Sequence, residues 1–122
     1  MMEEIESSKK KVLIVDDNVD VADMMKKLLS FEGHDVRVAA DGESGFEAAK
    51  AFQPDVCLCD IGLPKMDGYE LGRQLRQLLP GANLIAFSGW GQDSDKERSR
   101  QAGYDEHVVK ASSIEQLIKL IG

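Results

Sequence analysis

Charged and hydroxyl side chains stand at the points where the short apolar runs of this sequence end. They are Asp16 and Asp17 after the run at 12–15, Asp60 after 56–59, Ser88 after 84–87, and Lys110 after 106–109. Carboxylates that are brought together repel one another unless a cation lies among them. A ligand set made only of oxygen suits a hard divalent ion that keeps several waters, which means Mg²⁺ or, in its place, Mn²⁺.

A divalent ion, a lysine and a hydroxyl around one carboxylate are the groups that phosphoryl transfer requires. The metal and the ammonium group neutralise charge on the phosphoryl oxygens, and the carboxylate is available as the nucleophile. We therefore expect phosphoryl chemistry here, provided that the fold brings the ends of the apolar runs together.

Short apolar runs alternate with segments of helical periodicity along the whole chain. We expect strands at 12–15, 34–39, 56–59, 84–87 and 106–109, and helices at 18–31, 42–52, 67–79, 94–102 and 112–121. Strict alternation predicts a parallel sheet with helices on both faces, because parallel strands need crossover connections and these are right-handed.

The character of each strand predicts its place in the sheet. The runs at 12–15, 56–59 and 84–87 are apolar on both faces and should be central. The run at 34–39 alternates and the run at 106–109 is short, which is typical of edge strands. The expected fold is one doubly wound, flavodoxin-like (βα)5 α/β domain with strand order 2-1-3-4-5, and in such sheets ligands bind outside the carboxyl ends of the strands.

The pattern also predicts local features of two helices. Asn18 can cap the first helix, and Asp67 is better placed than Asp60 to cap the helix that begins near it. In the first helix, the spacing i, i+3, i+4, i+7 assigns the buried face to Val21, Met24, Met25 and Leu28.

Length and charge limit the classes of function that the chain can have. Its 122 residues fit one compact domain, and its net charge of -7 does not favour nucleic-acid binding, which needs a basic face. No apolar run approaches the roughly 18 residues of a membrane span, so we expect no membrane contact and take a cytoplasmic location as the default. We expect a disordered N-terminal tail at 1–9 and one domain at 10–122.

The cysteines and histidines give little support for a soft-metal or redox site. Cys57 and Cys59 lie two residues apart in a predicted strand, which favours two small buried core residues over a disulfide or a redox pair. His34 and His107 are far apart in the sequence, which does not favour zinc.

The sequence resembles the receiver domain of two-component response regulators from Lys10 to Ile121. The matching features are "VDD" at 15–17, "CDIGLPKMDGYEL" at 59–71, "FSG" at 87–89 and Lys110 after "HVV". Each feature alone is weak, but their order at the ends of strands 1, 3, 4 and 5 is specific.

The resemblance implies that Asp60 accepts a phosphoryl group from a phosphohistidine. The donor would be a sensor histidine kinase or a histidine phosphotransfer domain. The domain would catalyse its own phosphorylation and dephosphorylation, with no separate metabolic reaction. It would then switch conformation to control an output domain, an effector protein or a relay partner.

The resemblance also implies a role for each site residue. Asp17 and Asp60 would bind Mg²⁺ directly, together with the backbone carbonyl of Gly62, and Asp16 would act mainly through bound water. Lys110 would pair with Asp60 and then with the phosphoryl oxygens, while Ser88 would move to hydrogen-bond the phosphoryl group.

The chain departs from the family pattern at three places. Ala111 stands where most receivers have a proline after the lysine, so we expect a trans peptide there. His107 stands at a switch position that is usually aromatic, which predicts a muted rotamer switch and some pH sensitivity. Gly62 and Trp90 lie two residues beyond Asp60 and Ser88, and the bulk of Trp90 predicts a long-lived acyl phosphate.

Two other functions compete with this one. A haloacid-dehalogenase-like phosphatase also forms an aspartyl phosphate, but it needs a second acid two residues after the nucleophile, where this chain has Gly62. A pseudo-receiver that binds partners without phosphorylation gains modest weight from His107 and Ala111. Beryllofluoride separates the pseudo-receiver from the phosphoacceptor, since only an intact Mg²⁺ site should respond to it.

Overall fold

The computed structural model describes residues 9–63, 67–88 and 93–109 of the chain. The predicted tail at 1–9 therefore falls outside this part except for Lys9. The predicted helix at 112–121 and three residues singled out above, Lys110, Ala111 and Trp90, also lie outside the described residues.

Strands and helices alternate throughout the described chain. The elements are β1 Lys11–Val15, α1 Val19–Phe31, β2 Asp35–Ala39, α2 Gly42–Phe52, β3 Val56–Asp60, α3 Gly68–Leu78, β4 Asn83–Ser88, α4 Asp93–Gln101 and β5 Glu106–Val109. All five predicted strands are present, and their bounds differ from the predicted ones by one residue at most.

The strands form one parallel sheet in the order β2-β1-β3-β4-β5, so the predicted topology is confirmed. The three central strands, β1, β3 and β4, are those whose sequences predicted apolar residues on both faces. Val12, Leu13, Val15, Cys57, Cys59 and Leu84 in these strands are at most 2% exposed. Burial on both faces is what a central parallel strand requires, because helices cover each side of the sheet.

A hydrophobic cluster lies on each face of the sheet. On one face, Cys57 and Leu84 of the sheet pack with residues of α2 and α3 such as Ala49, Leu71 and Leu75. On the other face, Leu58 and Ile85 pack with α1. The sheet therefore contributes side chains to both hydrophobic clusters. The loops to the helices on both faces meet at its carboxyl edge.

The buried face of α1 was predicted only in part: Met25 is buried as expected, but the face is turned relative to the predicted one. Its buried residues are Ala22, Met25 and Leu29, whereas Met24 and Leu28 are 43% and 36% exposed and Val21 is only partly buried. Two overlapping apolar stripes run along this helix, and the one that contains Ala22, Met25 and Leu29 packs in the cluster against the sheet. Periodicity alone cannot separate two stripes that are one residue apart.

The helix caps follow the prediction. The Asn18 side chain accepts a hydrogen bond from the Val21 N–H at 3.2 Å, and the Asp67 side chain accepts one from the Glu70 N–H at 2.8 Å. Each bond satisfies one of the backbone donors that a helix start leaves without a partner in the helix. In the part of the chain that the structure describes, no helix has the length and apolar character needed to cross a membrane.

Candidate functional site

Strand register brings the carboxylates of β1 and β3 to the same place. Val15 pairs with Cys59, so Asp16 and Asp60 are the next residues along two neighbouring strands. One carboxylate oxygen from each of Asp16, Asp17 and Asp60 lies within 4.8 Å of the other two. The three acids that the sequence placed at strand ends thus form one cluster at the carboxyl edge of the sheet.

Asp16 is the buried member of the cluster, at 3% exposure. Its Oδ1 accepts a hydrogen bond from the Asn18 N–H at 2.9 Å, and its own N–H donates to the Ala39 carbonyl at 3.0 Å. These bonds fix the side chain relative to the start of α1. Asn18 performs the capping, so Asp16 and Asp17 are not needed for it.

Asp60 is partly exposed at the end of β3, and Asp17 is exposed. The Gly62 N–H donates to Oδ1 of Asp60 at 3.0 Å, which fixes the orientation of that carboxylate. Because Asp67 caps α3, Asp60 has no capping duty either. A carboxylate at the mouth of the core, oriented by a backbone donor and accessible from outside, is suited to act as a nucleophile or a metal ligand.

Ser88 and Lys110 were both predicted from the sequence to lie at this edge. Ser88 is the last residue of β4, and it pairs with Val109, the residue that precedes Lys110. Their roles remain predictions, because Lys110 lies outside the described residues.

His107 of β5 contacts the helix before it. Its Nδ1 lies 2.9 Å from Oγ of Ser99 in α4, and Ser99 is only 1% exposed. This contact links His107, at the predicted switch position, to α4, whose sequence consists of polar residues. Arg98 of the same helix stacks over the Tyr69 ring at 4.2 Å from its centroid.

The donor set of the cluster fits a hard divalent cation. All three side chains offer carboxylate oxygens, and one oxygen of each lies within 4.8 Å of the other two, close enough for the three to surround one ion. The thiols do not compete for this role, since burial raises the pKa of Cys59 to about 12 and that of Cys57 well above its ordinary value.

The sequence patterns did not predict the contact that Tyr104 makes with Gly68 and Gly72 at the start of α3. The Tyr104 hydroxyl donates to the Gly68 carbonyl at 2.6 Å, across 36 residues of sequence. The only available signal was an aromatic residue in "AGYDEH", which does not reveal its partner.

Comparison with known proteins identifies the family of this chain. A family model described as the response regulator receiver domain matches residues 12–122. The chain therefore belongs to the response regulator receiver domain family of two-component systems.

Particular relatives agree with that assignment. The probable transcriptional regulatory protein TcrX of Mycobacterium tuberculosis is 35% identical over 107 residues, 88% of this chain and 46% of its own. The alkaline phosphatase synthesis transcriptional regulatory protein PhoP of Bacillus subtilis is 33% identical, over 85% of this chain and 43% of its own. The chain thus spans less than half the length of these two curated relatives.

Solved structures match over nearly all of both chains. A CheY-like response regulator receiver domain protein from Methanospirillum hungatei has a TM-score of 0.86 at 33% identity, covering 92% of this chain and 90% of its own. A putative response regulator from Chloroflexus aurantiacus has a TM-score of 0.86 at 31% identity, covering 93% and 94%.

Proposed function

We propose that this domain accepts a phosphoryl group on Asp60 from a phosphohistidine, in a reaction that depends on Mg²⁺. The observation that carries the proposal is the cluster of Asp16, Asp17 and Asp60, whose ligand atoms lie within 4.8 Å of one another at the carboxyl edge of the sheet. An acid cluster of this kind at the end of a central strand serves no packing purpose, and its members do not cap the helices that follow.

The residues that would hold the ion are Asp17 and Asp60, with Asp16 acting through water and the Gly62 carbonyl as a further ligand. Mg²⁺, or Mn²⁺ in its place, supplies positive charge that offsets the charge of the phosphoryl oxygens. The hydrogen bond from the Gly62 N–H to Asp60 supports this assignment, because it orients the carboxylate before any ligand arrives.

The chemistry at Asp60 is a displacement at phosphorus. A carboxylate oxygen of Asp60 attacks phosphorus, the P–N bond of the phosphohistidine breaks, and its electron pair returns to the imidazole nitrogen. Lys110 would neutralise the phosphoryl oxygens and Ser88 would hydrogen-bond one of them. Attack of water on the acyl phosphate restores Asp60 and releases phosphate.

The partners follow from this chemistry. The donor would be a cytoplasmic histidine kinase or histidine phosphotransfer domain. Val19, at 63% exposure, begins α1 just beyond Asp17 and offers an apolar contact to a protein donor. Because the curated relatives are transcriptional regulators about twice as long, we propose that an output domain or a separate effector reads the switched state.

Beryllofluoride with Mg²⁺ tests this function, because BeF₃⁻ mimics a phosphoryl group on a carboxylate. We expect ¹H–¹⁵N NMR spectra of the wild type to change only when both are present, and the change to vanish in Asp60→Ala. Glu47→Gln is a matched control, since it removes an exposed carboxylate of α2 and should respond like the wild type. A wild type without any response would instead favour a phosphorylation-independent interaction module.

A further inference from the structure

Tyr104 is a buried aromatic residue that links the segment before β5 to the start of α3. It is 3% exposed and lies just before β5, and its hydroxyl donates to the carbonyl of Gly68 at the start of α3. The donor–acceptor distance is 2.6 Å, at the short end for an O–H···O bond. Gly68 lies eight residues after Asp60, at the far end of the loop that begins at the candidate phosphoacceptor.

The ring of Tyr104 has no room to move sideways. A Cβ built on Gly72 would lie 2.5 Å from the ring, so the ring rests directly on the backbone of α3. Burial raises the pKa of Tyr104 well above its ordinary value, which keeps the hydroxyl protonated and able to donate.

Gly68 links Tyr104 to Asp60, because its carbonyl accepts the Tyr104 hydroxyl and its Cα lies against the backbone of Asp60 and Ile61. A Cβ on Gly68 would lie 2.5 Å from Cα of Ile61 and 2.6 Å from the carbonyl oxygen of Asp60, so the two backbone segments are in direct contact. The Gly68 N–H also donates to the Ile61 carbonyl at 3.0 Å. A displacement of Gly68 must therefore displace the backbone next to the nucleophile.

The backbone of Tyr104 is held from the other side. Its N–H donates to the Ser99 carbonyl of α4 at 3.0 Å. The carbonyl of Gly103 accepts from Nε and Nη2 of Arg76, at 3.0 and 2.7 Å. Hydrogen bonds with Ser99 and Arg76 thus hold the backbone around Tyr104, while its hydroxyl bonds to Gly68.

We propose that Tyr104 is a positioning residue for Asp60: its hydroxyl fixes Gly68 against the backbone of Asp60 and Ile61, in the geometry that phosphorylation requires. This inference rests on the proposed function of Asp60. It adds a residue that does not touch the phosphoryl group and acts through the Gly68 carbonyl.

The test compares Tyr104→Phe with Tyr69→Phe. The first variant removes the hydroxyl and keeps the ring against Gly72. The second removes a hydroxyl one residue from Gly68 and leaves the Tyr104 bond in place. Both are measured for the rate of phosphorylation by acetyl phosphate in saturating Mg²⁺, and for the amide resonance of Gly62, which reports the bond to Asp60.

We expect Tyr104→Phe to slow phosphorylation roughly tenfold and to shift the Gly62 amide resonance, because misplacement of a reacting group costs rate. Tyr69→Phe should stay within about twofold of the wild type, because it leaves that geometry in place. A wild-type rate and an unshifted Gly62 resonance in Tyr104→Phe would overturn the positioning role.

The Gly62 measurement needs neither Mg²⁺ nor a phosphodonor. If the wild type gained no phosphoryl group, the proposed function would fail, and the Gly62 resonance alone would decide whether Tyr104 positions the backbone beside Asp60.

Discussion

At the scale of single residues, Gly68 is the position where adding one methyl group should most strongly destabilise the fold. Gly68→Ala would place a Cβ 2.5 Å from Cα of Ile61 and 2.6 Å from the Asp60 carbonyl oxygen, and neither backbone atom can move cheaply. We expect a loss of about 1–3 kcal/mol in the free energy of unfolding, the usual cost of overpacking. Urea denaturation followed by circular dichroism measures it.

Gly81→Ala is the control for that substitution. A Cβ at Gly81 would meet no atom within 4 Å, so its unfolding free energy should change by less than about 0.5 kcal/mol. Equal effects of the two substitutions would show that the contact between Gly68 and the Asp60 backbone does not matter.

His34 gives the domain a specific dependence on pH. Its Nδ1 accepts a hydrogen bond from the Lys10 N–H at 3.1 Å, which requires the neutral ring. Burial, and then the positive charge of Lys10, lower its pKa from 6.5, against a smaller opposing effect of Glu32. The folded state therefore binds a proton less readily than the unfolded state, and His34 stabilises the fold fully above pH 6.5.

We expect this contribution to be lost as the pH falls below 6.5, through the interval down to the lowered pKa of His34. His34→Asn keeps an acceptor near Lys10 but does not titrate, so its stability should fall less steeply than that of the wild type between about pH 7 and 5. Urea midpoints at several pH values give the difference. Parallel curves for the two proteins would contradict the assignment.

The site residues that could be predicted from sequence share a simple origin. Asp16, Asp17 and Asp60 each follow an apolar strand, and parallel strands bring their carboxyl ends to one edge. Tyr104 could not be predicted in the same way, because its partner, Gly68, lies 36 residues away and is contacted through a carbonyl. Sequence patterns report strand ends well and tertiary hydrogen bonds to the backbone poorly.

At the scale of elements, Arg76 connects α3 to the loops that flank β4 and β5. Its guanidinium donates to the carbonyls of Gly103, Pro80 and Ala82. It also pairs with Asp105 at 2.6 Å, and Asp105 in turn accepts from the Leu84 N–H at 2.9 Å. Only the planar fork of an arginine can reach all these acceptors together.

We expect Arg76→Lys to lower the free energy of unfolding by about 1–3 kcal/mol, because several partly buried acceptors lose their donors. Arg73→Lys is the matched control one turn earlier on α3, where the arginine pairs only at the surface with Glu70. Its effect should stay below about 0.5 kcal/mol. Similar losses in the two variants, measured by urea denaturation, would argue against the role of Arg76.

The elements themselves were predictable because each one has its own periodicity, but the rotation of α1 was not. Residues 21, 24, 25 and 28 and residues 22, 25 and 29 both form apolar stripes. The choice between them depends on which side chains fit the sheet, and this is a property of packing. Exposed Leu28 and Phe31, at 36% and 89%, are the visible result.

At the scale of the whole molecule, one sheet separates two hydrophobic clusters and makes them depend on each other. Leu13 and Val15 face one cluster, and Val12 and Ile14 of the same strand face the other. Neither cluster can lose its sheet wall without the other losing it too. We therefore expect the domain to unfold in a single cooperative transition.

Thiol labelling tests that expectation, because Cys57 and Cys59 are both 0% exposed in the central strand β3. At pH 8 the native thiols should react very slowly with a disulfide reagent, since the thiolate is the reactive form and burial disfavours it. Labelling in urea should have the same midpoint as circular dichroism. Labelling at much lower urea would reveal separate opening of one cluster.

The topology of the whole molecule was the most predictable level. Strict alternation, with three strands apolar on both faces, leaves few ways to arrange five parallel strands, and the order 2-1-3-4-5 is confirmed. The same regularity explains why the acid cluster could be expected before any coordinates, since the fold alone decides which loop ends meet.

The most direct test of the central claim is the intact mass of the protein after incubation with acetyl phosphate. With Mg²⁺ present, the wild type should gain the mass of one phosphoryl group, HPO₃. It should gain nothing when the metal is chelated, and Asp60→Asn should gain nothing under either condition. An unmodified wild type in saturating Mg²⁺, or a phosphoryl group on Asp60→Asn, would contradict the account.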